Sequence, residues 1–368
     1  MHTAIRRVSL RAIFTLLVLI GAGVVASVVY LLRPVSTPSF RDESGRELPG
    51  SIASMERWPI NGIDQSVILR GRDRGNPLLV WVHGGPGISE TGAVRRYNSV
   101  LEDHFVVVLW DQRYAGRSLA PLGPKPARQT IDDYVADLDV LVDHLQRRFT
   151  CRKVVLVGHS WGTVPGLLYA ERHPEILAAY VGIGQEANAL ESERRSYEFV
   201  IDQARSRRDV SALERLQHMG PPPRPGGEVW TPRELLEEFG GAFHGRGSEL
   251  SLAFASAGAS EMNWRDGAAF LLAHNFNAAI SDAEGKVVLN TGHTRFDVPI
   301  FFVSGRTDHV VDAPLTFDYL QRISAPQKSF VWFEDSGHYP PFEEPQKFNQ
   351  WMTGTVLSLA RSACAPIR

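Results

Sequence analysis

The sequence predicts an α/β fold built on a mostly parallel, eight-stranded sheet with helices on both faces. From about residue 51, short strand-like runs alternate with helical patterns, as they do when helices connect parallel strands. The central runs, such as Val154-Val155-Leu156-Val157, are continuously apolar, which is typical of strands buried on both faces. We therefore expect the carboxyl ends of these strands to share one edge, where open α/β sheets bind their ligands.

The composition is that of an ordinary globular protein. The chain has 368 residues, of which 43% are hydrophobic and 22% charged, so disordered and fibrous classes are excluded. This length allows one large domain or two small ones. The formal net charge of −2 and the absence of RNA-binding, zinc-finger or helix-turn-helix patterns argue against a nucleic-acid partner.

The N-terminal segment predicts a transmembrane helix. Residues 12–32 form an uncharged, mostly apolar run that is long enough to cross a bilayer. Arg6, Arg7 and Arg11 precede it, which favours a cytoplasmic N-terminus and a chain that continues outside the cytoplasm. The alternative is a signal peptide cleaved near Val24-Val25-Ala26, which would give a secreted protein. We assign residues 1–33 to this stub and anchor, and residues 34–50 to a linker.

Eight strands are predicted from the apolar runs, at residues 54–58, 65–70, 78–83, 105–110, 154–157, 178–183, 300–304 and 329–334. Helices are predicted at 130–149, 163–173 and 344–360, the first with apolar residues at helical spacing. The interval 186–297 breaks the alternation and is too long for a simple loop. We interpret it as an inserted helical lid between two parts of the core, 51–185 and 298–368.

Gly158-His159-Ser160-Trp161-Gly162 lies between an apolar strand and a helical pattern. A strand, Gly-x-Ser-x-Gly and a helix together predict a nucleophile elbow, in which a strained turn exposes the serine hydroxyl. The flanking glycines are needed because a side chain there would collide with the neighbouring strand and helix. The pattern therefore predicts Ser160 as a catalytic nucleophile, whereas the side chain of His159 should point away and be structural.

A serine hydroxyl needs a base, usually histidine, which a carboxylate orients. With this elbow the chain order is serine, acid, histidine, and each partner follows a late strand. Asp308 follows the strand 300–304 and His338 follows the strand 329–334. They are the predicted acid and base, and Asp312 is the alternative acid.

The negative charge of a tetrahedral intermediate needs backbone N–H donors. One donor is expected from Trp161, the residue after the nucleophile, and the other from the loop after an early strand. That loop is His83-Gly84-Gly85-Pro86-Gly87, and we predict Gly85 as the second donor. No cofactor is predicted, and no metal site, because His-x-x-x-His and Cys-x-x-Cys spacings are absent.

The two cysteines lie at the same predicted end of the sheet. Cys151 begins the elbow strand, and Cys364 ends the last helix, which runs back from the active-site edge. A disulfide is allowed outside the cytoplasm. The sequence leaves open whether the two residues pair, because their Cα separation cannot be derived from it.

Taken together, the loop 83–87, the segment Asp111-Gln112-Arg113-Tyr114-Ala115-Gly116-Arg117-Ser118, the elbow, the loop 305–308 and Gly337-His338 resemble the α/β-hydrolase superfamily. Within it, they are most similar to the proline iminopeptidase group of serine peptidases. The resemblance extends from about residue 56 to the C-terminus and is weak in the lid. It implies that Ser160, Asp308 and His338 form a triad, and that Gly85 and Trp161 form the oxyanion hole.

The resemblance also implies how substrate is held, because this group binds the free α-amine of a peptide with glutamates of the lid. Glu186 and Glu261 are the candidates for that role here, and Glu191 and Glu193 could contribute. The expected function is therefore an aminopeptidase for short peptides. An esterase or amidase for small molecules is the alternative, and a non-catalytic binding protein is a third. Carboxylates facing Ser160 from the lid would favour the peptidase, and an apolar lid the esterase.

Overall fold

The computed structural model describes residues 10–120, 126, 128–151, 153–225, 227–245 and 247–364. Its centre is one eight-stranded sheet with the order β1-β2-β4-β3-β5-β6-β7-β8. The strands are β1 (Ile52–Ile60), β2 (Ile63–Gly71), β3 (Leu78–Val82), β4 (Val106–Asp111), β5 (Val154–His159), β6 (Leu177–Ile183), β7 (Ile300–Gly305) and β8 (Lys328–Phe333). β2 is antiparallel to both β1 and β4, and every other pair is parallel, so the predicted mostly parallel sheet is confirmed.

The helices before the lid are α1 (Leu10–Leu31), α2 (Thr91–Tyr97), α3 (Ile131–Arg148) and α4 (Thr163–Arg172). The lid helices are α5 (Ala189–Arg207), α6 (Val210–Met219), α7 (Arg233–Glu238), α8 (Glu249–Ser256) and α9 (Trp264–Glu284). The last helices are α10 (Ala313–Arg322), α11 (Pro340–Glu343), α12 (Pro345–Trp351) and, after a π-helical turn at Met352–Val356, α13 (Leu357–Cys364).

Two apolar cores cover the two faces of the sheet. Successive residues of a strand point to opposite faces, and β3 shows this directly. Val80 packs into a core with α3, α4 and α10, whereas Trp81 packs into a core with α2, α12 and α13. A third apolar cluster holds α5, α6 and α7 together, which gives the lid packing of its own.

The N-terminal helix α1 carries several exposed apolar side chains, including Phe14, Leu19 and Val29. Within the described ranges, no helix combines the length and the apolar character that a membrane crossing requires. The transmembrane prediction for residues 12–32 is therefore not supported by the structure.

The segment after α1 is tied to the lid by its side chains. The Arg33 guanidinium donates hydrogen bonds to the carbonyl oxygens of Ala257, Ala259 and Met262, at 2.7 to 3.2 Å. Thr37 donates to a Glu261 carboxylate oxygen at 2.7 Å. The predicted linker therefore contacts the connection between α8 and α9.

Cys151, just before β5, and Cys364, at the end of α13, form a disulfide with a Cα separation of 5.1 Å. The bond lies at the end of β5 opposite the elbow. The pairing that the sequence left open is therefore present.

Arg113, in the segment that resembles the proline iminopeptidase group, forms a buried ion pair with Asp137 of α3. Its Nε and Nη2 lie 2.7 and 2.6 Å from the two carboxylate oxygens of Asp137, which is fully buried. Gln65 and Asn61 donate to the same carboxylate at 2.6 and 2.8 Å. This part of the motif therefore has a structural role. Its ion pair and the hydrogen bond from Gln65 link the loop after β4, and β2, to α3.

Replacing Asp137 by alanine should destabilise the fold strongly, because it removes the close counter-charge of the buried Arg113 and leaves only the more distant Asp133 carboxylate, at 3.8 Å. Breaking one partner of a buried pair costs about 3–5 kcal/mol. Urea denaturation of the full chain measures the effect. Asp139→Ala, on the exposed side of the same helix, is the matched control and should change stability by no more than about 0.5 kcal/mol. Equal losses in the two variants would contradict this account.

Candidate active site

The elbow has the strained geometry that its glycines make possible. Ser160 follows β5 with φ +52°, a left-handed value that costs energy for a non-glycine residue. A Cβ at Gly158 would lie 2.7 Å from the Gly162 carbonyl oxygen, and one at Gly162 would overlap the Val82 carbonyl oxygen. Thr163 Oγ1 donates to the Ser160 carbonyl at 2.6 Å. The backbone therefore holds Ser160 at the carboxyl end of β5, in the wall of a large cavity.

Asp308 and His338 meet at the carboxyl ends of β7 and β8. His338 Nδ1 lies 3.0 Å from Asp308 Oδ2, and both side chains are buried. The other carboxylate oxygen of Asp308 accepts the backbone N–H groups of Val310 and Val311, each at 3.0 Å. Asp308 is therefore fixed on both oxygens, and His338 lines the same cavity as Ser160.

The alternative acid, Asp312, is engaged elsewhere. Its carboxylate caps α10 by accepting the N–H of Leu315 at 2.9 Å, and it pairs with Arg195 at 2.9 Å. Between Asp308 and Asp312, the structure thus places Asp308 against the histidine.

Gly184, which follows β6, is a site residue that the sequence did not indicate. Its φ is +54°, and a Cβ there would lie 3.0 Å from His338 Cε1 and 3.4 Å from Asp308 Oδ2. The imidazole can therefore pack against the sheet only because position 184 has no side chain.

The glycine-rich loop after β3 lies beside the nucleophile and lines the same cavity. Gly85 has φ +117°, and a Cβ there would lie 2.6 Å from the backbone nitrogen of Gly87. The Trp161 indole is buried and donates to Gln112 Oε1 at 3.0 Å, so this side chain points into the core. The loop and the elbow thus bring the backbones of residues 85 and 161 to the same end of the sheet.

His159 is buried behind Ser160 and contacts two loops. Its Nδ1 lies 2.5 Å from Glu90 Oε1, and its Nε2 lies 2.9 Å from the His338 carbonyl oxygen. Burial alone would lower the pKa of His159, but the adjacent Glu90 carboxylate raises it above its usual range. Burial alone would raise the pKa of Glu90, but the attraction of His159 lowers it. The sequence indicated a structural role for His159 but not its partner Glu90.

A cavity of about 830 Å³ extends from Ser160 and His338 into the lid. Its walls include apolar side chains from the end of α8 to the middle of α9, namely Leu252, Ala253, Ala257, Met262, Trp264, Phe270 and Leu271. It also contains a group of charged side chains from the lid, namely Glu186, Glu193, Arg233, Glu249 and Glu284. The cavity is therefore amphipathic, with an apolar wall and a charged region.

Glu186, Glu193 and Glu284 share one arginine, Arg233. Arg233 Nη2 lies 2.6 Å from Glu193 Oε1, while Glu193 Oε2 accepts the Thr231 N–H at 2.6 Å. Burial and the nearby Glu193 raise the pKa of Glu186 to about 7. Burial and Glu186 raise the pKa of Glu284 well above its usual range. Burial and mutual repulsion penalise the ionisation of three carboxylic groups that share one guanidinium. A bound cation would offset this penalty, so the cluster favours a cationic ligand.

Glu261, the second predicted substrate-binding residue, is outside this cavity. Its carboxylate lies 2.9 Å from Arg95 Nε and accepts the Thr37 hydroxyl, so it links the lid to the core and to the N-terminal segment. Glu191 pairs with Arg195 on the partly exposed face of α5. The structure therefore does not bring Glu261 together with Ser160 and Glu186, and its carboxylate is already paired with Arg95.

Glu284, Glu249 and Arg233 are cavity residues that the sequence did not indicate. They lie in the lid, where the sequence has no motif, and Glu284, at the end of α9, reaches the cavity through tertiary packing. Among the described residues, no group of three or more His, Cys, Asp or Glu side chains has the arrangement of a metal site.

Comparisons with known proteins agree with this architecture. A family profile described as "alpha/beta hydrolase fold" matches residues 77–218. The chain is 31% identical over 307 residues to "Probable aminopeptidase YbaC" of Bacillus subtilis (strain 168), covering 81% of this chain and 94% of that protein. It is also 35% identical over 121 residues to "Probable proline iminopeptidase" of Streptomyces coelicolor, 32% of this chain and 36% of that protein.

Among solved structures, a proline iminopeptidase-related protein from Thermus thermophilus superposes with a TM-score of 0.60 at 20% identity. The superposition covers 86% of this chain and 99% of that one, and at this identity it shows the shared fold. The alignment with the Bacillus subtilis protein covers most of both chains at 31% identity, so it shows a shared family as well as a shared fold. The chain belongs to the α/β-hydrolase superfamily, is a hydrolase, and resembles the proline iminopeptidase group within that superfamily.

Proposed function

We propose that the chain is a serine hydrolase that works through an acyl-enzyme and removes N-terminal residues from short peptides. The observation that carries this proposal is the group of buried carboxylic side chains, Glu186, Glu193 and Glu284, in the cavity that Ser160 and His338 also line. An esterase for apolar substrates does not need such a group, whereas a peptide with a free α-ammonium does, because a buried cation requires a counter-charge.

In the proposed reaction, Ser160 Oγ attacks the carbonyl carbon of the first peptide bond. His338 accepts the serine proton at Nε2, because its Nδ1–H is directed at Asp308 Oδ2. The N–H groups of Gly85 and Trp161 stabilise the oxyanion. The proton then moves from His338 to the leaving amine, and water hydrolyses the acyl-enzyme with His338 as base.

The substrate's α-ammonium would bind between Glu186 and Glu284, since Glu193 is already engaged by Arg233. A prolyl group would fill only a small part of the cavity of about 830 Å³. We therefore propose a specificity for a free N-terminus rather than for proline alone, with large apolar side chains accepted along the wall formed by Trp264, Phe270 and Leu271.

That same wall favours the second candidate, an esterase or amidase that acts on apolar acyl groups with the same triad.

A third proposal concerns location. The Cys151–Cys364 disulfide supports a site of action outside the cytoplasm, because such bonds persist mainly in oxidising compartments.

The test compares prolyl-naphthylamide, leucyl-naphthylamide, their N-blocked forms and nitrophenyl butyrate, with Ser160→Ala as control. We expect both free amides to be cleaved and N-blocking to lower kcat/KM about 100-fold, because the buried carboxylates lose their cation. Equal rates on free and blocked amides would remove the aminopeptidase assignment, and activity confined to the ester would favour the second candidate. Turnover that survives in Ser160→Ala would refute the mechanism.

A further inference from the structure

Both ring nitrogens of His159 face oxygen acceptors. Nδ1 lies 2.5 Å from Glu90 Oε1, and Nε2 lies 2.9 Å from the carbonyl oxygen of His338. A neutral imidazole has one N–H and one lone pair, so it can satisfy only one of these contacts. For both contacts to be hydrogen bonds, His159 and Glu90 must together hold one more proton than a neutral imidazole and an ionised carboxylate do.

His83, close by, shows the opposite arrangement. Its Nε2 accepts the N–H of Gln112 at 3.1 Å, and its Nδ1 lies 2.8 Å from the Gly84 carbonyl oxygen. One ring nitrogen faces a donor and the other an acceptor, which is the pattern of a neutral imidazole. The hydrogen-bond partners of His83 thus match a singly protonated ring, whereas those of His159 match a doubly protonated ring.

Glu90 connects His159 to the glycine-rich loop. Its Oε1 accepts the Gly84 N–H at 3.0 Å, and its Oε2 accepts the Trp81 indole N–H at 2.7 Å. Gly84 immediately precedes Gly85, and the His338 carbonyl belongs to the residue that would accept the serine proton. His159 is thus linked through Glu90 to the backbone of the glycine-rich loop, and it contacts the backbone of the His338 loop directly.

We propose that His159 and Glu90 are a positioning pair, in which a doubly protonated His159 holds the glycine-rich loop and the His338 loop at a fixed distance around Ser160. The catalytic part of this inference rests on the proposed function.

Other charged or titratable groups also face the pair. The Asp308 carboxylate adds to the attraction on His159, and His83 contributes to that on Glu90. The rings of His338 and Tyr339 pack against His159, with centroid distances of 5.0 and 5.4 Å. Loss of the His159 proton would set a lone pair against either Glu90 or the His338 carbonyl, so one of the two contacts would break.

The proton count can be measured without turnover. In full-length protein with ¹⁵N-labelled histidine, we expect both ring nitrogens of His159 to be protonated at pH 8, and one ring nitrogen of His83. His159→Gln and His83→Gln assign the signals. A singly protonated His159 at pH 8 would overturn the inference, and this readout stands even if no substrate is found.

The positioning role is tested by Glu90→Gln, which keeps the size of the side chain but removes its charge. We expect kcat to fall about 100-fold, since small misplacements of reacting groups have effects of this size. We also expect the alkaline limb of the kcat profile to move to lower pH, because His159 then loses its proton more easily. A folded Glu90→Gln whose alkaline limb is unmoved would refute the proposal. If that variant does not fold, His159→Gln provides the test, and the alkaline limb should then be absent.

Discussion

Asp308→Asn is expected to lower kcat about 10⁴-fold while leaving the protein folded, because it reverses the hydrogen-bond direction at His338. Asp308 Oδ1 accepts the N–H groups of Val310 and Val311. In the asparagine variant, the amide oxygen must take that position, which turns the amide nitrogen toward His338 Nδ1. The imidazole is then forced to carry its proton on Nε2, where it can no longer accept the proton of Ser160.

The matched control is Asp312→Asn, four residues away and the alternative acid in the sequence. Its carboxylate caps α10, so the substitution should cost at most about 1 kcal/mol of stability. Activity at a temperature where the protein is fully folded should be retained. Circular dichroism establishes folding, and steady-state kinetics on the best substrate of the panel measure both variants. Similar losses in the two variants would contradict the assignment of Asp308.

Glu186→Gln is expected to raise KM for a free-amine substrate about 100-fold at pH 8, because a desolvated ion pair with the α-ammonium is lost. Hydrolysis of nitrophenyl butyrate, which has no amine, should be little changed. This split between the two substrates separates a binding role from a structural one. Glu191→Gln, on the same stretch of chain but paired with Arg195 at the surface, is the matched control and should leave both activities intact.

The same carboxylate predicts a pH dependence with a definite sign. The pKa of Glu186 is raised to about 7, first by burial and then by the nearby Glu193. As pH falls through this value, Glu186 is protonated and loses its attraction for an ammonium group, so kcat/KM for free-amine substrates should fall. Since kcat/KM reports the ionisation of the free enzyme, the Glu186→Gln variant should lack this part of the acid limb. An identical acid limb in the variant and the wild type would contradict the role of Glu186.

The fold, and the placement of Ser160, Asp308 and His338 at one edge of the sheet, could be predicted from the sequence because local patterns determine them. Continuous apolar runs specify buried parallel strands, and the spacing of Gly158, Ser160 and Gly162 specifies a sharp turn between a strand and a helix. Asp308 and His338 could be located because parallel strands place their carboxyl ends at one edge. These inferences need only strand order and chain direction.

The charged region of the cavity could be predicted only in part, because the lid has no repeating pattern and its charges are arranged by tertiary packing. Glu186 was a candidate from the sequence and lines the cavity. Glu284 and Arg233 are far apart in the sequence but meet in one buried cluster. Glu261 resembles a substrate carboxylate in sequence, yet its proximity to Arg95 gives it a structural role. The partnership of His159 with Glu90 was likewise hidden, since 69 residues separate them along the chain.

Trapping the acyl-enzyme shows directly whether Ser160 is the nucleophile. The full chain is mixed with nitrophenyl butyrate, quenched in acid within the first turnovers and digested, and its peptides are weighed by mass spectrometry. We expect a butyryl group on the peptide that contains Ser160, at Ser160 itself, and no such group in Ser160→Ala. Rapid nitrophenol release without any acylated Ser160, or with the group on another residue, would contradict it.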